Sequence, residues 1–462
     1  MKQRGIQINK AMVVTILALA WPTMLEQLMQ TAVQYIDTAM VGSLGTQATA
    51  AVGATSTVNW LIGSSVSALG VGFLSFIAQA YGARDREAAS KAVMQAVLVT
   101  VVCGLFFTAV TLGLSARVPV WMQVDESIRA LAGQYFFILY LPMLPRAASI
   151  IFGTVLRAAG DTKTPMKIGV GVNLINVVLN FLLIYPTREV GKFVIPGAGL
   201  GVIGAAIASA AAFTFGGVAI TVVLWRHPLV SPRGQKFRPD WAILRPCLKV
   251  AMPNMLQRFG TSLGYVAFAS MINALGDVAT AAHTIANTVE SAFYIPGYGM
   301  QTAAATLAGN AYGARDRKRL QDLAAMFIPI EIGLMILSGG ALFAAAPALM
   351  DIFSNSPEVI GLGTTVLRMV AISEPAYGFS IIIEGMMLGV GNTKEPFFYN
   401  ILGMWGVRIV GTFLCTTFLG GGLVAAWGCM IAHNLLLFVL FLICYLRGRW
   451  NPMKLERRKR GL

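Results

Sequence analysis

The chain has 462 residues, 56% of them hydrophobic and 12% charged, with a mean hydropathy of +0.69, whereas a soluble domain carries about 25% charged residues. An ordinary water-soluble fold is therefore excluded, and the chain reads as an integral membrane protein. The formal net charge of +15 would also suit a nucleic-acid binder, so the placement of the basic residues has to decide between that and membrane topology.

Apolar stretches long enough to cross a bilayer, about 20 residues each, recur at 12–40, 50–79, 92–116, 130–156, 165–186, 200–225, 245–272, 280–309, 323–347, 360–388, 396–418 and 422–446. The first follows Lys2, Arg4 and Lys10, as a signal peptide would, but it runs on with no small-residue cleavage site and is read as a retained helix. Of the 35 basic residues, 27 fall in the segments on one side of this pattern and four (Arg117, Arg129, Arg188, Lys192) on the other. That asymmetry is the positive-inside pattern. It puts both termini in the cytoplasm of a multi-pass inner-membrane protein, makes the tail Arg447 to Arg460 a lipid-facing basic segment, and excludes a nucleic-acid partner. Cys103, Cys247, Cys415, Cys429 and Cys444 have no paired spacing and read as packing residues.

Self-comparison finds the hexapeptide YGARDR at 81–86 and again at 312–317, 231 residues apart. The same offset lays Gly160-Asp161-Thr162-Lys163-Thr164-Pro165 on Gly391-Asn392-Thr393-Lys394-Glu395-Pro396, and Glu26 on Gln257. Each half holds six spans, so the halves insert in the same orientation, as in parallel-repeat transporters. The expected architecture is all-α: a six-helix lobe at 1–225, a cytoplasmic linker at 226–244, a second six-helix lobe at 245–446 and a basic tail at 447–462.

A charge at mid-bilayer costs about 2.5–3.5 kcal/mol on insertion scales, so each embedded acid needs a reason. Asp37 lies in the outer half of the first span, where the repeat partner is Phe268. Asn173, Asn176 and Asn180 share one face of the fifth span, and their partners are Met404, Val407 and Gly411. This polar set belongs to the first lobe alone. Glu26 stands eleven residues before Asp37 on nearly the same helix face, about 16 Å away, either in a cavity or in a structural role beside Pro22. Gln34, Tyr35, Asn173, Glu290 and Glu384 join it as candidate cavity or substrate residues. Pro22 permits a bend in the first helix. Arg258, Glu331, Glu374 and Arg408 are further embedded charges, and Glu290 or Glu374 is expected to pair with Arg258 or Arg368. His283 and His433 lack metal-ligand spacing and read as structural. There is no GxxxxGK[ST] phosphate loop, no cofactor is expected, and the chain is not read as an enzyme.

IDTAMVGSLG (36–45), AYGARDR (80–86), LRAAGDTKTP (156–165), GVIGAAIAS (201–209), the stretch from Pro296-Gly297 to Tyr312-Gly313-Ala314, and GVGNTKEP (389–396) together give the chain a resemblance to the multidrug and toxic compound extrusion (MATE) family, over nearly its whole length. The resemblance implies two six-helix bundles that export organic cations and other amphipathic compounds in exchange for H⁺ or Na⁺. It also implies a cation site at Asp37, Asn176, Asn180 and Ser209, with Na⁺ as the only metal to be expected, at Asp37, Asn176 and Asn180. Many relatives carry Asp where this chain has Asn180, which removes a second carboxylate. Another branch places acids where this chain has Thr261 and Ser380, which weakens a cation site in the second lobe; Glu384 lies one turn beyond Ser380. Cation binding at Asp37 would change the bend at Pro22 and favour release of cargo outside. A monomer in contact with membrane lipid is expected. The rival readings are a flippase for lipid-linked oligosaccharides and, less well supported, a channel. Six embedded acids against four embedded arginines (Arg146, Arg258, Arg368, Arg408) favour cationic or neutral cargo.

Overall fold

The computed structural model describes residues 9–454; Lys2, Arg4 and the tail beyond residue 454 lie outside the described residues. Helices run over α1 (Lys10–Gly42), α2 (Thr46–Gly82), α3 (Arg86–Leu114), the short α4 (Val118–Trp121), α5 (Glu126–Tyr140), α6 (Met143–Ala158), α7 (Lys163–Leu183), α8 (Val202–Arg226), α9 (Trp241–Asn273), α10 (Asp277–Gly313), α11 (Arg317–Phe353), α12 (Pro357–Gly389), α13 (Lys394–Ile401), α14 (Val410–Thr417) and α15 (Leu423–Arg447). Among the described residues, nine segments are long and apolar enough to cross a membrane, with α13 to α14 counted as one. The pair α5 and α6, bent by 51° at Leu141-Pro142, makes a tenth. The remaining two expected spans are α9 and α10, of 33 and 37 residues, long enough to cross but more polar. The pattern of twelve helical crossings in two halves therefore holds.

Three local features depart from uniform helix. The fourth span breaks because Pro142 and Pro145 bring no amide hydrogen to the helical ladder. The eleventh contains a π-helical segment, Leu402–Ile409, between α13 and α14. The outer loop after α7 is an antiparallel hairpin, β1 (Pro186–Val190) with β2 (Phe193–Ala198). Val190 pairs with Phe193 across Gly191-Lys192, and Gly191 has φ +63°, as the first position of a type II′ turn requires.

The chain divides into two compact units. The C-terminal unit comprises the chain up to Met24, Ala78–Arg84 and everything from Lys249 onward; the N-terminal unit comprises Leu25–Ile77 and Asp85–Leu248. The divisions thus fall inside α1 and α2 and beyond the expected linker. In the C-terminal unit, Ile16 and Ala20 of α1 join a core with Met300, Leu307, Phe327, Met386 and Phe441. A second core gathers Phe268, Leu342, Val366 and Trp427. In the N-terminal unit, the segment 226–244 docks on α3: Gln95 donates to the Arg238 carbonyl and accepts from the Asp240 amide, both at 3.0 Å, and the Ser90 hydroxyl donates to the Ser231 carbonyl at 2.7 Å.

The repeated hexapeptide has a physical explanation in two parts. Its arginines, Arg84 and Arg315, take φ +58° and +56° and end one helix, while Asp85 and Asp316 cap the next by accepting from Ala88 and Arg319 amides at 3.0 and 2.9 Å. Such caps contribute about 1 kcal/mol each. Its glycines allow a close crossing within the C-terminal unit. A Cβ on Gly82 would fall inside the backbone of Asn310, and one on Gly313 inside the backbone of Gln79. Residues 79 and 310 are themselves repeat partners, so the contact is reciprocal. Gln79 adds a hydrogen bond from Nε2 to the Gly389 carbonyl at 3.1 Å.

Candidate functional site

Asp37 in α1, Asn176 and Asn180 in α7, and Ser209 in α8 come together in one hydrogen-bonded chain inside the N-terminal unit. Asn180 Nδ2 donates to Asp37 Oδ1 and, at 2.8 Å, to Asn176 Oδ1; Asn176 Nδ2 then donates to Ser209 Oγ at 3.2 Å. The spacing of α7 makes this possible, because Asn176 and Asn180 are one turn apart on the same face. Asn180 is 1% exposed and its Oδ1 has no hydrogen-bond partner among the described residues. A buried acceptor oxygen without a donor carries a desolvation cost of about 1–3 kcal/mol. A carboxylate, an orphaned amide oxygen and a hydroxyl are the oxygen ligands that suit a hard cation. The donor set therefore fits either Na⁺ or a proton on Asp37.

The other candidates are placed differently. Asn173 lies on α7 without joining the chain, its Nδ2 without a hydrogen-bond partner among the described residues. Gln34 and Tyr35 are exposed on α1. Helix α1 runs unbroken through Pro22, which deprives the Ala18 carbonyl of its helical donor. Glu26 is not a free cavity acid: its Oε2 accepts from Arg157 at 2.6 Å. Arg157, counted from sequence with the cytoplasmic basic residues, is therefore a paired residue in the last turn of α6. The signal for this was the need of buried Glu26 for a counter-charge.

The C-terminal unit corrects the expected pairing of its charges. Glu384 accepts from Gln257 Nε2 at 2.7 Å and lies within electrostatic reach of Arg258. Glu290 lies within electrostatic reach of Arg408 and Glu374 rather than of Arg258 or Arg368, and Arg368 Nε donates to the Phe343 carbonyl at 3.2 Å. The reason is helix rotation: the π-helical segment carries Arg408 onto the rings of Tyr265 and Phe268, at 5.0 and 4.7 Å. Phe268 is the repeat partner of Asp37, so a guanidinium stacks on the residue that replaces the acid. His283 accepts from Trp427 Nε1 at 3.1 Å, a structural role. Glu331 is fully buried, and neither of its carboxylate oxygens has a hydrogen-bond partner among the described residues.

Outside the spanning segments, Asp161 lies 3.3 Å from His227 Nε2 and accepts from the Thr164 amide at 3.0 Å and its hydroxyl at 2.7 Å. Burial pushes its carboxyl up, but these bonds outweigh burial and hold it down at about 2. His227 Nδ1 accepts from the Leu229 amide at 3.3 Å, which leaves Nε2 to carry the proton toward Asp161.

Helical crossings duplicated at a fixed spacing, with a buried polar chain in one half, define the class of parallel-repeat secondary transporters. The MatE family model matches residues 22–182 and again 253–414, two matches that begin 231 residues apart, as the two hexapeptides do. The chain belongs to the MatE family, a family of transporters. It is 26% identical over 445 residues to the probable multidrug resistance protein NorM of Thermotoga maritima, covering 96% of this chain and 94% of that one. It is 25% identical to the probable multidrug resistance protein YpnP of Bacillus subtilis, covering 95% and 96%. A crystal structure of MATE in the straight conformation matches with a TM-score of 0.88 at 23% identity, covering 98% of this chain and 100% of that one. An outward-facing multidrug resistance MATE family transporter matches with a TM-score of 0.88 at 24% identity, covering 95% and 96%. At these identities the two structures show the fold.

Proposed function

We propose that this chain is a secondary active antiporter that exports small amphipathic or cationic compounds across the inner membrane in exchange for H⁺ or Na⁺, by alternating access. The observation that carries the reading is the chain from Asp37 through Asn180 and Asn176 to Ser209, present in one half of a duplicated protein and replaced in the other by Phe268, Gly411 and Val407 at the first three positions. Relatives named as multidrug resistance proteins support the cargo class. The basic residues support a topology with both termini in the cytoplasm. The protein acts as a monomer.

In this reading an entering cation neutralises Asp37 and takes the free Asn180 oxygen, which releases Asn180 Nδ2 from its double duty. A monovalent cation moving down a 100 mV potential supplies about 2.3 kcal/mol. Alternating access needs that energy to favour one arrangement of α1 and α7 over the other. The test is reconstitution in liposomes with a fluorescent organic cation, imposing a pH gradient and a Na⁺ gradient separately. Dye movement is expected under one gradient at least and is expected to be lost in Asp37→Asn. Movement under neither gradient, or undiminished coupled movement in Asp37→Asn, refutes the reading.

A further inference from the structure

Each embedded arginine can be asked what answers its charge. Arg157 is paired with Glu26, Arg258 lies in reach of Glu384, and Arg408 in reach of Glu290. Arg368 is half-buried, bonded to a backbone carbonyl through Nε and stacked on Phe343. Arg146 has no acid within ion-pair distance among the described residues, and its buried Nη1 has no hydrogen-bond partner among them.

Arg146 stands in the first turn of α6, twelve residues before Ala158, so it lies about 18 Å along the helix from that end. In a hydrocarbon core about 30 Å thick that is near mid-depth, where an ionisable side chain marks a functional site by default. Its surroundings hold the guanidinium without neutralising it. The ring of Phe213 lies 4.7 Å away and that of Tyr140 5.5 Å away. The Tyr140 hydroxyl is itself anchored, donating to Asn59 Oδ1 at 2.7 Å. Aromatic faces favour the cation and orient its plane, and the Tyr140 hydroxyl oxygen is within hydrogen-bond reach of the guanidinium, but Nη1 is left open among the described residues. Tyr135 lies within electrostatic reach of both Arg146 and Asp37, so the unanswered positive charge and the cation site border the same side chain in the same unit.

We propose that Arg146 is the docking point for an anionic group on the transported compound, so that the cargo of this lobe includes small amphipathic molecules bearing a carboxylate or a comparable anion. The inference deepens the export reading and rests on it. It also revises the charge count made from sequence. Three of the embedded acids have a nearby arginine to answer them, so the total of six against four overstates the negative charge that cargo meets, while Arg146 is left for cargo to neutralise. An incoming carboxylate would accept from the free Nη1, a charge-assisted hydrogen bond with the planar geometry that guanidinium favours.

The test uses rhodamine B, which carries a free carboxylate, and its ethyl ester, which has the same ring system without that charge. Binding of each dye to the purified full-length protein is followed by fluorescence polarisation. Wild type is expected to prefer the acid. Arg146→Gln is expected to weaken the acid by about 10–100-fold, the range of one charged hydrogen bond, and to leave the ester within about twofold; retained ester binding shows that the variant is folded. Arg146→Lys is expected to keep part of the preference. Equal weakening of both dyes in a variant whose unfolding midpoint is unchanged, or no change in either, overturns the proposal. If Arg146→Gln does not fold, wild type decides: a preference for the ester overturns the proposal, and a preference for the acid that Arg146→Lys reduces upholds it. Acid-selective binding without gradient-driven dye movement in liposomes would leave Arg146 as an anion site and remove the export reading; binding of neither dye by wild type overturns the proposal.

Discussion

The ion pair between Glu26 and Arg157 offers the most direct energetic test of the N-terminal unit. The two side chains are 9% and 18% exposed and meet at 2.6 Å, joining α1 to α6 close to where α1 leaves the C-terminal unit. Arg157→Met removes one partner and strands a buried carboxylate, which costs about 3–5 kcal/mol. Glu26→Gln keeps an acceptor for the guanidinium and loses only the charged character of the bond, about 1.5–3 kcal/mol. The double variant Glu26→Gln/Arg157→Met strands no charge, so it should lose less than the sum of the single variants, by at least about 2 kcal/mol. The assay is the thermal unfolding midpoint of the detergent-purified protein, followed by the fluorescence of its eight tryptophans, in a double-mutant cycle. If the single changes add to within about 0.5 kcal/mol, as independent sites do, the pair contributes no specific stability and the reasoning fails.

Two further perturbations probe other parts of the molecule. Asp161 has a folded-state value of about 2, below the ordinary carboxyl value of about 3.9, so its stabilisation is complete above about pH 4 and is lost as the pH falls through about 2. Asp161→Asn should lower the unfolding midpoint at pH 7, and the gap to wild type should close between about pH 4 and 2; a gap that stays constant over that window would show that the carboxylate charge is not involved. Gly82→Ala and Gly313→Ala each place a methyl inside opposing backbone, an overpacking cost of about 1–3 kcal/mol or more. Gly191→Ala, in an open turn, serves as a control for backbone strain alone. Equal midpoints for the three would refute the close crossing.

The sequence made the scaffold legible because the duplication left an intact hexapeptide and a constant offset, and because apolar runs of bilayer length rarely occur outside membrane spans. The chain from Asp37 to Ser209 was legible in part for a geometric reason: residues 176 and 180 must share a helix face whatever α7 packs against. Ser209 came only from the family resemblance. The ion pair of Glu26 with Arg157 and the approach of Arg408 to within electrostatic reach of Glu290 depend on how two helices are rotated against each other, which local pattern does not carry. Arg157 was hidden by its position near a basic loop. The π-helical segment Leu402–Ile409 includes Gly403 and Gly406, which weaken an α-helix, but glycines are frequent in membrane spans and do not by themselves mark a change of helix type. The break at Leu141-Pro142 was signalled by Pro142 and Pro145, but a proline pair in an apolar stretch also fits a kinked continuous helix.

The contact in which Gly82 meets Asn310 while Gly313 meets Gln79 has the form of an isologous interface, in which one residue touches a second and the copy of the second touches the copy of the first. Two-fold homodimers are built that way, and here the pattern survives inside a single chain. Each hexapeptide is thus part of the surface that the other copy must fit. A change in either is felt at both ends of the crossing, whereas Asp37 and its repeat partner Phe268 lie outside the crossing and differ in kind.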